Sequence, residues 1–260
     1  MIKKVTTMLA AAAAVALLLG ACGSDDIEAR ASSETKSAAG SAAMETDLQA
    51  FCDAAVGSKS ALIAASEGNP TEDPAPLMDA AEANAPEEII EELDVLLTTA
   101  RSAVESRDTR ALESEEFRTV DQAVDRYIAD NCESQKLSVT GIDYAFDGMP
   151  TTVSAGRATI DFANGGEELH EMLLMRIEEP GFSVDDLLHM PQKQAQKKLS
   201  FVRALFAPPG ESDVETFDLE PGEYAVVCFV PVGATSVEAA ESAGGPPHAM
   251  KGMAAQLTVE

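Results

Sequence analysis

Four side chains in the second half of this 260-residue chain could hold one soft metal ion between them: His170, Cys228, His248 and Met253. A thiolate is soft and favours Cu(I), imidazole suits either copper oxidation state, and a weak thioether tilts the balance further toward Cu(I). One nearly fixed geometry that serves both states lets an electron enter and leave with little reorganisation. The residue types concerned are scarce, with 3 His, 4 Cys and no Trp, so each can be accounted for. Cys22 closes a leader segment, Cys52 lies in a first helix and Cys132 just after the last of a helical region, and Cys228 is left alone. A lone thiol outside the cytoplasm oxidises unless it is buried or bound. The third histidine, His189, sits beside Met190 and Pro191 in a helical stretch and reads as an exposed residue. Met172 and Met175 lie in one strand-like run and read as core filler.

The motifs around these residues resemble the cupredoxin (plastocyanin-like) family, over roughly Val139 to Glu260. The matching pieces are Gly156 to Asn164 leading to His170; Pro221, Gly222, Glu223 and Tyr224 leading to Cys228; and His248 to Met253 before a terminal strand. The resemblance implies one type-1-like copper ion, with His170, Cys228 and His248 as equatorial ligands and Met253 as the axial one. It implies one-electron transfer as the function. Two departures stand out. Nineteen residues separate Cys228 from His248, where the family has two to four. Loop closure costs only ~0.6 kcal/mol per doubling of length, so a long loop is compatible with a site. Glu171 follows the first His where the family often has Asn, and reads either as a solvated carboxylate or as an extra oxygen ligand.

The elements that must position these ligands fall in two blocks, giving an α+β chain of two domains. From Met44 to about Gln135 the apolar spacing is helical. Leu48, Phe51, Cys52, Ala55 and Val56 form one stripe, Ile89, Leu93, Leu96, Leu97, Ala100 and Val104 a second, and Phe117, Val120, Val124, Tyr127 and Ile128 a third. Pro86 with Glu87 and Glu88 predicts a helix start. A short further helix is possible from Leu77 to Ala83. Three main helices in a small bundle are expected, with the first and third parallel. Such packing separates Cys52 from Cys132 unless the bundle is offset. In an oxidising compartment the two pair as a disulfide; the competing reading is two buried thiols.

From Lys136 to Glu260 the pattern is that of strands, and the resemblance implies a cupredoxin-like antiparallel β-sandwich. Ala158, Ile160 and Phe162 alternate with Arg157, Thr159 and Asp161, and Tyr224 to Val230 is a continuous apolar run. Val184, Leu187, Leu188, Leu199, Val202 and Leu205 predict a helical insert at about 183–206.

The first 43 residues read as address rather than fold. Lys3 and Lys4 precede an apolar run from Met8 to Leu19, too short to span a bilayer core that needs ~20 helical residues. The run ends in Leu19, Gly20, Ala21 and Cys22, which resembles a bacterial lipoprotein signal. The resemblance implies cleavage before Cys22, lipid on Cys22, and a membrane-anchored protein facing out of the cytoplasm, while residues 22–43, rich in Ser, Ala, Gly and acids without apolar periodicity, read as a flexible tether.

Composition excludes some classes. With 45 Asp+Glu against 18 Lys+Arg, a net charge of −27, the chain lacks the basic face that nucleic acid needs. A hydrophobic share of 45% argues against a wholly disordered chain. No Ser-His-Asp set, phosphate loop or His-rich zinc motif is present, so the reading is non-enzymatic. The acidity reads either as a solvated surface or as a field that steers encounters with a redox or envelope partner protein bearing a basic docking face. Two further readings stay open: a metal-free module that binds another envelope protein, and copper storage or delivery.

Overall fold

Asp47, Asp73 and Ser114 each lend a side-chain oxygen to a backbone N–H two or three residues on, and so start three of four helices. These belong to a computed structural model that describes residues 47–68, 72–106 and 108–260. The leader, Cys22 and the tether to residue 43 lie outside the described residues. The helices are α1 (Leu48–Ser66), α2 (Pro74–Ala83), α3 (Ile90–Ser106) and α4 (Glu115–Asn131). α2 starts three residues earlier than its apolar pattern suggests, because Asp73 caps it and Pro74 suits the first turn. α3 starts at Ile90, a turn later than Pro86, with Glu91 and Glu92 in its first turn.

Phe51, Cys52, Ala55 and Val56 of α1 face Met78 and Ala81 of α2, Leu93 and Leu97 of α3, and Val124 and Ile128 of α4. Cys52 and Cys132 form a disulfide, with Cα atoms 5.8 Å apart. The expected parallel run of first and last helix is corrected here. α2 reverses the chain once more, so α1 and α4 run antiparallel: Lys59, seven residues beyond Cys52, meets Asp125, seven before Cys132.

Nine strands follow: β1 (Gln135–Ile142), β2 (Ala145–Asp147), β3 (Thr152–Val153), β4 (Gly156–Asn164), β5 (His170–Ile177), β6 (Leu199–Ala207), β7 (Ser212–Leu219), β8 (Gly222–Val227) and β9 (Ala254–Val259). They form two sheets, ordered β2-β1-β4-β7 and β3-β9-β8-β5-β6. Ala158, Ile160 and Phe162 of β4 pack with Phe217 of β7 against Met172, Leu174, Leu205, Tyr224, Val226 and Leu257 of the other sheet. The sheets are mixed rather than wholly antiparallel. β1 pairs parallel with β4, and β3 parallel with β9. After β1 and its antiparallel partner β2, the chain crosses to the second sheet as β3 and returns as β4; such a crossover delivers a parallel neighbour of β1.

The expected helical insert at 183–206 is shorter than the apolar spacing implied. α5 (Val184–His189), α6 (Gln192–Ala195) and a 3-10 turn (Gln196–Lys198) are helical, but Leu199–Ala207 is strand β6, paired with β5. Leu199, Val202 and Leu205 imitate a helical stripe at spacing three. The residues that point inward are Arg203, Leu205 and Ala207, at spacing two. Among the described residues no helix is long and apolar enough to cross a membrane.

Candidate metal centre

Antiparallel pairing of β8 with both β5 and β9 puts the end of β8 beside the starts of β5 and β9. His170 is the first residue of β5, Cys228 follows β8, and Met253 precedes β9. His248 opens a 3-10 turn, His248–Lys251, that leads into β9. Gly252, at φ 115°, supplies the left-handed step that turns the chain into that strand. Cys228 N–H donates to Met253 O at 3.2 Å, and Met253 N–H to His248 O at 3.1 Å. All four residues thus gather at one end of the second sheet, and each is fully buried.

The nineteen-residue connection does not carry His248 away, because its two ends are tied together. Ala249 N–H donates to Cys228 O at 2.7 Å, His248 N–H to Val230 O at 2.9 Å, and Val232 N–H to Pro246 O at 3.0 Å. Only the part beyond this neck departs. It forms a helix not foreseen from sequence, α7 (Val237–Ser242), whose Ala240 enters the sandwich core. Gly245 is required in the neck, since a Cβ there would lie 2.5 Å from Val232 O.

The donor atoms converge. His170 Nδ1 lies 3.2 Å from His248 Nδ1, which lies 3.4 Å from Cys228 Sγ. Ligand atoms of these three residues all lie within 4.8 Å of one another. Imidazole and thiolate ligands ~2.0–2.3 Å from one first-row ion, at tetrahedral angles, stand about 3.3–3.6 Å apart, so the spacing fits a shared ion. Met253 lies in the same apolar cluster as Cys228.

The outer nitrogen of each imidazole faces a carboxylate. His248 Nε2 lies 3.0 Å from Glu168 Oε2. Asp143 Oδ1 lies 2.9 Å from His170 Nε2, although the N–H is poorly aligned with it. Ionised carboxylates only accept, so they favour the tautomer with the proton on Nε2 and the lone pair on Nδ1, most directly at His248. With both Nε2 atoms protonated, two Nδ1 lone pairs 3.2 Å apart and away from water repel, and a cation between them, or in the metal-free protein the Cys228 thiol proton on one of them, relieves that repulsion. Burial, with the neighbouring His248, holds His170 below the ordinary imidazole range, which keeps it neutral and available as a ligand. Burial pushes the Cys228 thiol up to about 12, so its thiolate form needs a compensating cation. The set fits one copper ion by donor chemistry.

Glu171 is neither solvated nor aimed at the donors. Its carboxylate accepts from Phe229 N–H at 3.2 Å, and burial pushes it up to about 7. Its backbone N–H reaches Cys228 Sγ at 3.3 Å. His189 is exposed on α5 and pairs with Asp185, outside the site. Sequence reasoning missed Asp143, Tyr144, Gly166 and Glu168. The Asn164-Gly165-Gly166 turn was the available signal: Asn164 Oδ1 accepts from Gly166 N–H, and its amide group bridges Glu168 O and Ala207 O.

No family model and no curated protein matches this chain. Solved structures do. An auracyanin from Roseiflexus castenholzii is similar at 21% identity, covering 49% of this chain and 98% of its own, with a TM-score of 0.33. Auracyanin A from Chloroflexus aurantiacus, described as a "blue" copper protein, is similar at 21% identity over 49% of this chain and 100% of its own, TM-score 0.31. A Cu-containing nitrite reductase from Thermus scotoductus shares 19% identity over 53% of this chain and 33% of its own, TM-score 0.29. Likeness of this degree says nothing about the site, whose own side chains define it.

Proposed function

We propose that this chain holds one copper ion between His170, Cys228 and His248, with Met253 as a weak axial ligand, and carries one electron at a time. The observation that carries the reading is the meeting of two imidazole Nδ1 atoms and one thiol sulfur in a fully buried cluster. Copper bound there supplies a one-electron couple. The protein supplies a compact donor set anchored on neighbouring strand ends. Full burial of all three donors favours electron transfer over storage or delivery, in which the ion must come and go. It likewise favours a carrier over an enzyme, since an electron crosses a protein wall and a substrate does not. We place the protein outside the cytoplasm, tethered by lipid on Cys22, where it meets a redox or envelope partner with a basic face.

Titration of the metal-free protein with Cu(II) tests this. One equivalent is taken up, with an intense visible charge-transfer band that Cys228→Ala abolishes and that reduction bleaches reversibly. Failure of the wild-type protein to take up stoichiometric copper overturns the reading.

A further inference from the structure

His248 is wholly buried, so water does not meet the needs of its outer nitrogen. Glu168 does. Its carboxylate is gripped from three separate segments: by His248 Nε2 at 3.0 Å, by the Tyr144 hydroxyl at 2.9 Å, and by the Gly233 N–H. Tyr144 also lies against the His248 ring, with centroids 4.7 Å apart. Asn164 fixes the Glu168 backbone through its carbonyl at 2.8 Å. A carboxylate held this way cannot swing aside. Three donors converging on one carboxylate favour its charged, acceptor-only form.

We infer that Glu168 is a positioning residue for His248: it fixes the Nε2–H tautomer that aims Nδ1 at Cys228, and its charge shifts the copper couple toward Cu(II). The second half of this inference rests on the copper reading; the first does not. An anionic acceptor on the far nitrogen makes an imidazole a stronger donor, and added negative charge beside the site favours a dication over a monocation. Asp143 stands in the same relation to His170, but its N–H alignment is poor, so its effect is smaller.

Three variants and two measurements test this. Glu168→Gln keeps an acceptor and removes the charge. Glu168→Ala removes both, and Asp143→Asn serves as the weaker counterpart. In the copper-loaded protein, Glu168→Gln favours Cu(I) over Cu(II) at least tenfold more than wild type, a rise in potential of ~59 mV or more. Asp143→Asn moves it less. Mere loss of packing weakens both oxidation states alike and leaves the potential in place. A Glu168→Gln protein that binds one copper with an unshifted potential overturns the electrostatic role. Nitrogen-detected NMR of the metal-free protein reads the tautomer without copper. Wild-type His248 is the Nε2–H form, and Glu168→Ala populates the Nδ1–H form. Wild-type His248 in the Nδ1–H form overturns the positioning role. If wild type takes up no copper, the proposed function fails, while the tautomer still decides the positioning.

Discussion

Gly166 shows how little room the site leaves at the scale of one residue. A Cβ on it would lie 2.3 Å from Asp143 Oδ1 and 2.6 Å from His170 Nε2. Neither atom belongs to a free-swinging tip. Asp143 also accepts from Glu167 N–H through Oδ2 at 3.2 Å, and the His170 ring backs onto Gly141, where a Cβ would approach it to 3.1 Å. Gly166→Ala must therefore displace the imidazole or the carboxylate. It is expected to destabilise the metal-free protein by about 1–3 kcal/mol, as overpacking of a closed site does. Urea unfolding checks the stability, and a copper titration beside it is expected to show affinity at least tenfold weaker; affinity and stability equal to wild type would remove the steric claim. The candidate ligands stood out in the sequence because His and Cys are rare here. Asp143 and Glu168 were not, because nothing distinguishes two acids among 45 until the fold turns them toward an imidazole.

At the scale of elements, strict alternation was legible and imitation was not. β4 announces itself, since Ala158, Ile160 and Phe162 are all fully buried. β6 imitated a helix, and the antiparallel course of α1 and α4 depended on one short extra helix. The junction between helices and sandwich left no sequence signal, because it is built from charges. Lys59 of α1 reaches Asp125 at 2.6 Å and Asp121 at 3.2 Å on α4, and Glu215 of β7 at 2.9 Å. Burial and the adjacent Glu215 push the Asp125 carboxyl well above its ordinary range. Burial opposes the Lys59 ammonium too, but the three acids outweigh it and hold it charged. Removing that one cation leaves three crowded acids, with Arg203 Nε no nearer than 3.9 Å to Glu215. Lys59→Met is expected to cost about 3–5 kcal/mol in urea unfolding, the scale for stripping a buried charge of its partner. Adding Asp125→Leu recovers part of that loss, because the orphaned charge goes with it. A single variant within 1 kcal/mol of wild type, on the order of a surface pair, would reduce the junction to solvated charges.

The whole molecule is strongly net negative, and this bears on what it meets before any contact forms. The helical block from Met44 to Gln135 holds 6 basic and 22 acidic residues, and the block from Lys136 to Glu260 holds 8 and 19. Neither block offsets the other, so an approaching reagent meets a negative field from either side. Asp143 and Glu168 extend that field to the ligand end, where both are partly exposed. Surface charges act over a Debye length of ~30 Å at 0.01 M salt and only ~8 Å at 0.15 M. Electron exchange with a small cationic complex is therefore expected to be fast at low salt and to slow about tenfold or more on going to physiological ionic strength, within the range of electrostatic steering. An anionic complex of similar potential starts slow and speeds up with salt. Stopped-flow bleaching of the copper band across a salt series measures both. Parallel salt responses for the two reagents would mean that the field does not reach the electron's point of entry, and the expectation of a basic partner would go with it. Opposite slopes would place that entry within the acidic surface, and make charge rather than a shaped groove the first thing a partner reads.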